Sequence, residues 1–290
     1  MNNISSFSHR SQEPEQSVLY IVSTPIGNLN DISLRAINIL KGVSLIACED
    51  TRITGKLLKH LKISNKLISY HKNNFSQKIP ILIKELNSKK SIALVSDAGT
   101  PLISDPGELL VSKVIENNFD VISIPGASAL LAALVSSGFT TSKFTFYGFI
   151  PKNNKEREAL LTSISNNNYT SIIYESPKKL KKLLLDLKLF CDGTRKIKAI
   201  KEITKRFEKH YGESLDDLID YFSRNEPKGE FTIIIEGKKN INEKKDLDLR
   251  IELLELMRAG LSHSSASAYL SNRYSISRKK IYSLILKDNL

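Results

Sequence analysis

The stretch Ser96-Asp-Ala-Gly-Thr-Pro-Leu-Ile-Ser-Asp-Pro-Gly107 decides how this chain folds. It holds two Gly, two Pro, two Asp, two Ser and one Thr in twelve residues. These residue types break regular structure, tolerate positive φ and let backbone amides approach a ligand. The apolar run Ser91-Ile-Ala-Leu-Val95 before it predicts a buried strand, and Glu108–Glu116 after it predicts a helix. Connections between strand and helix usually run about two to six residues, and longer ones tend to be functional. A long, polar, glycine-bearing loop at this position is where open α/β sheets place their ligands.

Working outward, the same alternation recurs. Val18–Val22, Val43–Cys48, Lys66–Tyr70 and Asp120–Ile124 are further strand candidates. Asp31 can cap a helix carrying Leu34, Ile37 and Leu40 that ends before Gly42, and another helix follows Glu49-Asp-Thr-Arg52 through Leu61. Repeated β-then-α segments predict a mainly parallel sheet covered by helices. The loops 24–28, 49–52, 97–107 and 125–128 then share its carboxyl edge and line a cleft. Past Gly138 a second α/β unit is expected, with strands at Phe144–Tyr147, Ser171–Tyr174, Ile197–Ile200 and Phe231–Ile235. Its helix after Pro177 spaces Leu180, Leu183, Leu184 and Leu187 for burial and turns its lysines outward. The divisions expected are a flexible tail at 1–17, α/β domains at 18–137 and 138–237, and a charged linker at 238–248. A helical domain follows at 249–290, with helices at 251–259, 264–272 and 277–287.

The net charge of +12 is unevenly placed. Lys178–Lys209 carries twelve Lys/Arg against four Asp/Glu, and the chain from Arg250 carries seven against three. One lysine run is ordinarily a solvated face; two basic regions point to a polyanion, nucleic acid rather than membrane. No apolar run approaches the roughly 18 residues needed to span a bilayer. The separated Cys48 and Cys191 suggest no disulfide framework, and His9, His60, His71, His210 and His263 have no metal-ligand spacing. The simplest expectation is a cytoplasmic enzyme without a structural metal. The sequence lacks the phosphate loop, the dinucleotide glycine fingerprint and the G-x-S-x-G nucleophile elbow.

The remaining motifs supply a resemblance. Leu19-Tyr-Ile-Val-Ser-Thr-Pro-Ile-Gly-Asn-Leu29, Glu49-Asp-Thr-Arg52, the 96–107 loop and Ile124-Pro-Gly-Ala-Ser-Ala129 occur in this order. Phe146-Tyr-Gly-Phe-Ile-Pro151, Tyr174-Glu-Ser-Pro177, Lys201-Glu-Ile-Thr-Lys205 and Lys228-Gly-Glu-Phe231 follow. The chain resembles the RsmI-type small-subunit ribosomal RNA (cytidine) 2′-O-methyltransferases, of the tetrapyrrole methylase fold group. The resemblance implies two α/β domains with S-adenosylmethionine between them, usually in a homodimer. It implies methyl transfer to a cytidine ribose 2′-oxygen in the decoding centre, on ribosomal RNA or the assembled small subunit. By motif position the cofactor contacts are Thr24, Pro25, Asp97, Ala98, Gly99, Thr100, Ile103, Ser104, Ser128, Ala129, Tyr174, Glu175, Ser176, Lys228 and Gly229. Asp97 also suits an Asx turn.

Removing the ribose proton calls for a base, with Lys201, Glu202, Glu49 and Asp50 as candidates and Arg52 as a substrate clamp. Lys201 can serve only if its pKa is lowered, and Glu202 with Lys205 can equally form a structural ion pair. Lys178, Lys179, Lys205, Arg278, Lys279 and Lys280 are candidates for RNA phosphates, against a solvated, packing or dimer role. Lys201 and Lys178 stand where relatives commonly have Arg, keeping charge but losing the bidentate fork. Two other readings stand beside this one: a tetrapyrrole-like small-molecule methyltransferase on the same fold, and a noncatalytic RNA-binding assembly protein.

Overall fold

A computed structural model describes residues 13–238 and 246–286, which fall into two compact units parted at Gly237–Lys238. Most of the expected tail (1–12) and linker (239–245) lies outside the described residues.

The first unit carries two five-stranded sheets. Strands β1 (Val18–Val22), β2 (Leu45–Cys48), β3 (Leu67–Ser69), β4 (Ile92–Val95) and β5 (Asp120–Ile124) form a parallel sheet ordered β3-β2-β4-β1-β5. Its helices are α1 (Leu34–Gly42), α2 (Thr51–His60), α3 (Phe75–Asn87) and α4 (Glu108–Glu116). In β1, Val18, Tyr20 and Val22 pack with Ala36, Ile39 and Leu40 of α1, while Leu19 and Ile21 meet Leu82 of α3 and Leu110 of α4. Burial on both faces is why β1, β2 and β4 read as unbroken apolar runs, while the edge strands β3 and β5 are partly exposed. Chain order reverses around β4 and β1, so the loops after β1, β4 and β5 become neighbours at the carboxyl edge.

The second sheet contains β6 (Phe144–Phe149), β7 (Thr170–Glu175), β8 (Ile197–Lys201), β9 (Lys209–Tyr211) and β10 (Phe231–Ile235). Its order is β6-β7-β10-β8-β9; only β6 and β7 run parallel. One face packs on α6 (Asn154–Asn166), α7 (Pro177–Phe190) and α8 (Leu215–Arg224). Helix α5 (Ala129–Ser136) covers the other face, burying Leu130, Ala133 and Leu134 against Ile172, Ile200 and Ile234. This helix follows the last strand of the first sheet yet packs on the second, so it ties the two halves together.

The second unit is three helices, α9 (Asp246–Arg258), α10 (His263–Tyr274) and α11 (Arg278–Leu286), around Leu253, Ala266, Leu270 and Ile281.

Several local expectations need correcting. Ser33, not Asp31, caps α1, its hydroxyl accepting from Ala36 N at 3.1 Å, while Asp31 ends a separate single turn. Residues 13–17 are tied down: Glu13 pairs with Arg35 at 2.6 Å and the Ser17 hydroxyl donates to Leu86 O. Helix α9 starts at Asp246, inside the expected linker. Strand β9 was not foreseen because Lys-His-Tyr carries no apolar signal. Among the described residues, no helix is long and apolar enough to cross a membrane.

Candidate active site

The loop after β4 is held by its neighbours through backbone and hydroxyl bonds. Thr24 N donates to Gly99 O at 2.8 Å and Gly99 N returns a bond to Thr24 O at 3.0 Å. Thr100 Oγ1 donates to Ala127 O at 3.2 Å and so accepts from Ser23 Oγ at 2.9 Å. Asp97 Oδ1 accepts from Asp50 N at 3.0 Å, which ties in the loop after β2. Gly99 stands at φ +83°, where a Cβ would meet Ile26 Cγ2 at 3.2 Å. Leu102 and Ser104 hold φ of 73° and 65°, the left-handed region that side chains seldom occupy. Strain of this kind collects where a loop has been fixed for function.

Opposite this loop, β7, β10 and β8 lay Tyr174, Thr232 and Ile200 side by side in register. These three floor a cavity of about 430 Å³. The first half contributes Ile26, Asp97–Thr100, Ile103–Asp105, Ser128 and Ala129; the second adds Phe149, Glu175–Pro177, Ile203, Glu230 and Phe231. The Tyr174 hydroxyl accepts from Leu130 N at 3.0 Å, and its ring meets Phe146 and Phe149 edge-on. Burial pushes its pKa up to about 12, so it stays neutral. Glu175 is only 3% exposed; Oε1 accepts from Ser176 N and Oγ, and Oε2 has no partner. A buried carboxylate oxygen without a donor is costly, and a ligand donor would relieve that cost.

The carboxyl edge is acidic. Burial raises the Asp105 carboxyl against a Ser96 hydrogen bond, with Asp97 adding to the rise. Burial also raises Asp97, partly offset by the bond from Asp50 N. Glu49 is raised by burial and by Asp105 and Asp97 against Lys72 and His71. Glu202 behaves differently. Its burial is outweighed by the bond from Glu230 N at 2.9 Å and by Lys205 at 3.1 Å, leaving its pKa lowered.

Residues 18–219 match the family described as Tetrapyrrole (Corrin/Porphyrin) Methylases. A protein of Synechocystis sp. named Ribosomal RNA small subunit methyltransferase I is 44% identical, the alignment covering 93% of this chain and 98% of that protein. The chain belongs to the tetrapyrrole methylase family. A Vibrio cholerae protein of the same Ribosomal RNA small subunit methyltransferase I name is 39% identical, over 91% of this chain and 93% of its own. The solved cobalt precorrin-4 methyltransferase shares the fold, with TM-score 0.59 at 14% identity over 76% of this chain and 95% of that one. Diphthine synthase does likewise, with TM-score 0.60 at 13% identity over 77% and 90%.

In this tetrapyrrole methylase the expected cofactor residues divide by place. Asp97–Thr100, Ile103, Ser104, Ser128, Ala129 and Tyr174–Ser176 line the cavity. Thr24 is buried behind Gly99, with Pro25 next to it in the same turn, and Lys228 and Gly229 lie off the lining. Lys201 belongs to the opposite face of the sheet from Ile200 and lines a separate cavity. Glu202 is bound to Glu230 and Lys205, the structural ion pair. Arg52 is 85% exposed and clamps Asp50, whose pKa its hydrogen bonds pull down to about 2.

Lys205 is taken up by Glu202 and Glu230 and lies against Gly27, where a side chain would collide with it. Lys178 is exposed and Lys179 half-buried. In the helical unit Arg278 binds Ser264, and Lys279 and Lys280 are exposed. Ile26, Asp105, Phe149, Pro177, Ile200, Ile203, Glu230, Phe231 and Thr232 were not foreseen in the site. Asp105 stood inside the quoted loop; Ile200 and Thr232 needed the strand register.

Proposed function

We propose that this chain transfers a methyl group from S-adenosylmethionine to the ribose 2′-oxygen of a cytidine in the decoding centre of small-subunit ribosomal RNA. The observation that carries the reading is the extent of the likeness. It runs past residue 219, where the tetrapyrrole methylase match stops, into the C-terminal helices, and covers nearly all of relatives named for ribosomal RNA. The basic regions are consistent with a polyanionic substrate.

The cavity suits the cofactor on three counts. Ile26, Phe149, Ile200 and Ile203 give apolar walls, the Gly99 turn opens a cradle that a Cβ would narrow, and Glu175 Oε2 awaits a donor. S-adenosylmethionine supplies an electrophilic methyl carbon on positive sulfur when bound. The chain holds the incoming ribose in line and excludes water, and such positioning can account for much of the rate. Asp105 takes the hydroxyl proton: it lines the cavity, and its raised pKa makes it a better proton acceptor than an ordinary aspartate. The protein works in the cytoplasm as a homodimer, on RNA or on the assembled subunit.

Incubation with methyl-labelled S-adenosylmethionine and undermethylated small ribosomal subunits tests the reading. Label on one cytidine 2′-oxygen is the expected result. Cofactor binding with no labelled RNA would turn the assignment toward a small-molecule substrate.

A further inference from the structure

A second cavity, of about 250 Å³, opens on the face of the second sheet that α8 covers. Lys201 at the end of β8, Tyr211 of β9, Tyr221 and Phe222 of α8, Lys228 and Phe231 line it. Strand register explains the grouping: Lys201 pairs with both Phe231 and Lys209, and Tyr211 pairs with Ala199 on the same face. The aromatic rings form a connected set. Tyr211 and Tyr221 have centroids 4.9 Å apart at a 38° tilt, and Phe222 meets Tyr211, Tyr221 and Phe231 edge-on at 5.1–5.7 Å. Lys209 Nζ sits 5.1 Å from the Tyr211 ring centroid. The one carboxylate among the described residues lining this cavity, Glu226, pairs with Lys181 at 2.8 Å. Phe231 belongs to the lining of both cavities, so the two meet at this residue, whose ring packs against Phe222 on the α8 side.

An aromatic surface with ammonium groups beside it matches a planar base joined to a phosphate. We propose that this second cavity seats a single-stranded nucleotide of the RNA substrate next to the one whose ribose enters the main cavity. Tyr211 and Tyr221 stack the base, and Lys201 and Lys228 meet the phosphates on either side. Phe231, where the two cavities meet, parts the two nucleotides and sets the register of the strand. The inference rests on the ribosomal RNA reading above, and it gives Lys201 a binding role in place of the chemical one.

Equilibrium binding of the full chain to undermethylated small ribosomal subunits, with S-adenosylhomocysteine binding by calorimetry, tests it. Tyr211→Leu is expected to weaken subunit binding about tenfold or more, the scale of one lost base-stacking contact. Tyr211→Phe keeps the ring and should retain wild-type affinity. Lys228→Glu, at an exposed position that the fold tolerates, should weaken binding and reduce its dependence on salt. S-adenosylhomocysteine affinity in Tyr211→Leu should match wild type. Wild-type subunit affinity in both Tyr211→Leu and Lys228→Glu would overturn the proposal while leaving the methyltransferase reading untouched. So would a Tyr211→Leu variant that loses both affinities together. Failure of the wild-type chain to methylate the subunits would overturn both.

Discussion

Two carboxyl groups in the main cavity separate binding from chemistry. Glu175, only 3% exposed, holds Oε1 on Ser176 and leaves Oε2 without a donor. Leaving this buried oxygen unsatisfied costs about 1–3 kcal/mol, which a ligand donor would recover. Glu175→Gln, which keeps the side chain's size, should therefore weaken S-adenosylmethionine binding by about 10–100-fold in calorimetry. Unchanged affinity would remove Glu175 from the cofactor site. Asp105 is the opposite case. Asp105→Asn should cut kcat by about 10²–10⁴ while leaving cofactor affinity nearly intact. Its raised pKa also makes a stability claim. A carboxyl whose folded pKa lies above its unfolded value contributes fully below the unfolded pKa and loses that contribution as pH rises through the folded one. Ionised Asp105 is thus a burden at neutral pH, so Asp105→Asn should raise Tm at pH 7–8 and lose that advantage in acid. A variant with wild-type turnover, or a lower Tm at neutral pH, would rule out this role.

At the scale of elements, α5 does two jobs. Leu130 and Leu134 bury against the second sheet, while Ser128 and Ala129 at its start line the cavity. Leu134→Ala should cost about 2–5 kcal/mol and also weaken cofactor binding, since the helix start would shift. Leu86→Ala, equally buried in α3 but away from the cavity, should cost as much in denaturant melts and leave affinity alone. If the two variants bind cofactor alike, α5 is only core. This packing also marks where the sequence stops being legible. The β1, β2 and β4 strands stand out as apolar runs because both faces are buried, and the long loop after β4 stands out by its Gly and Pro. The crossing of α5 from one sheet to the other left no local trace. Antiparallel β10 between β7 and β8 was equally hidden, so the Tyr174–Thr232–Ile200 floor could not be read. The Lys201-Glu-Ile-Thr-Lys205 motif offers Lys201 as a base, but it follows the cavity residue Ile200 in β8, and a strand turns adjacent side chains to opposite faces.

At the scale of the whole molecule, the division at Gly237–Lys238 separates the cavity from the last helices, each part having its own core. Every residue lining the main cavity lies before that division. Cofactor binding should therefore not need the helical unit, while RNA affinity should, because the chain from Arg250 carries seven Lys/Arg against three Asp/Glu, a positive excess that no small substrate requires. Arg278 is partly committed to Ser264, so Lys279 is the cleaner probe. A chain ending at Gly237 is expected to bind S-adenosylmethionine within about twofold of the full chain, because none of its cavity contacts is removed. Its methylation of small ribosomal subunits should fall by about tenfold or more, with a shallower dependence on log salt as phosphate contacts disappear. Lys279→Glu in the full chain should move subunit binding in the same direction by a smaller step. Equal loss of cofactor affinity and subunit methylation on truncation would make the helices a structural support for the cavity, not an RNA-binding unit. A truncated chain that methylates subunits at the full rate would place all RNA recognition on the first unit, with the Lys178–Lys209 basic run as its remaining source of charge.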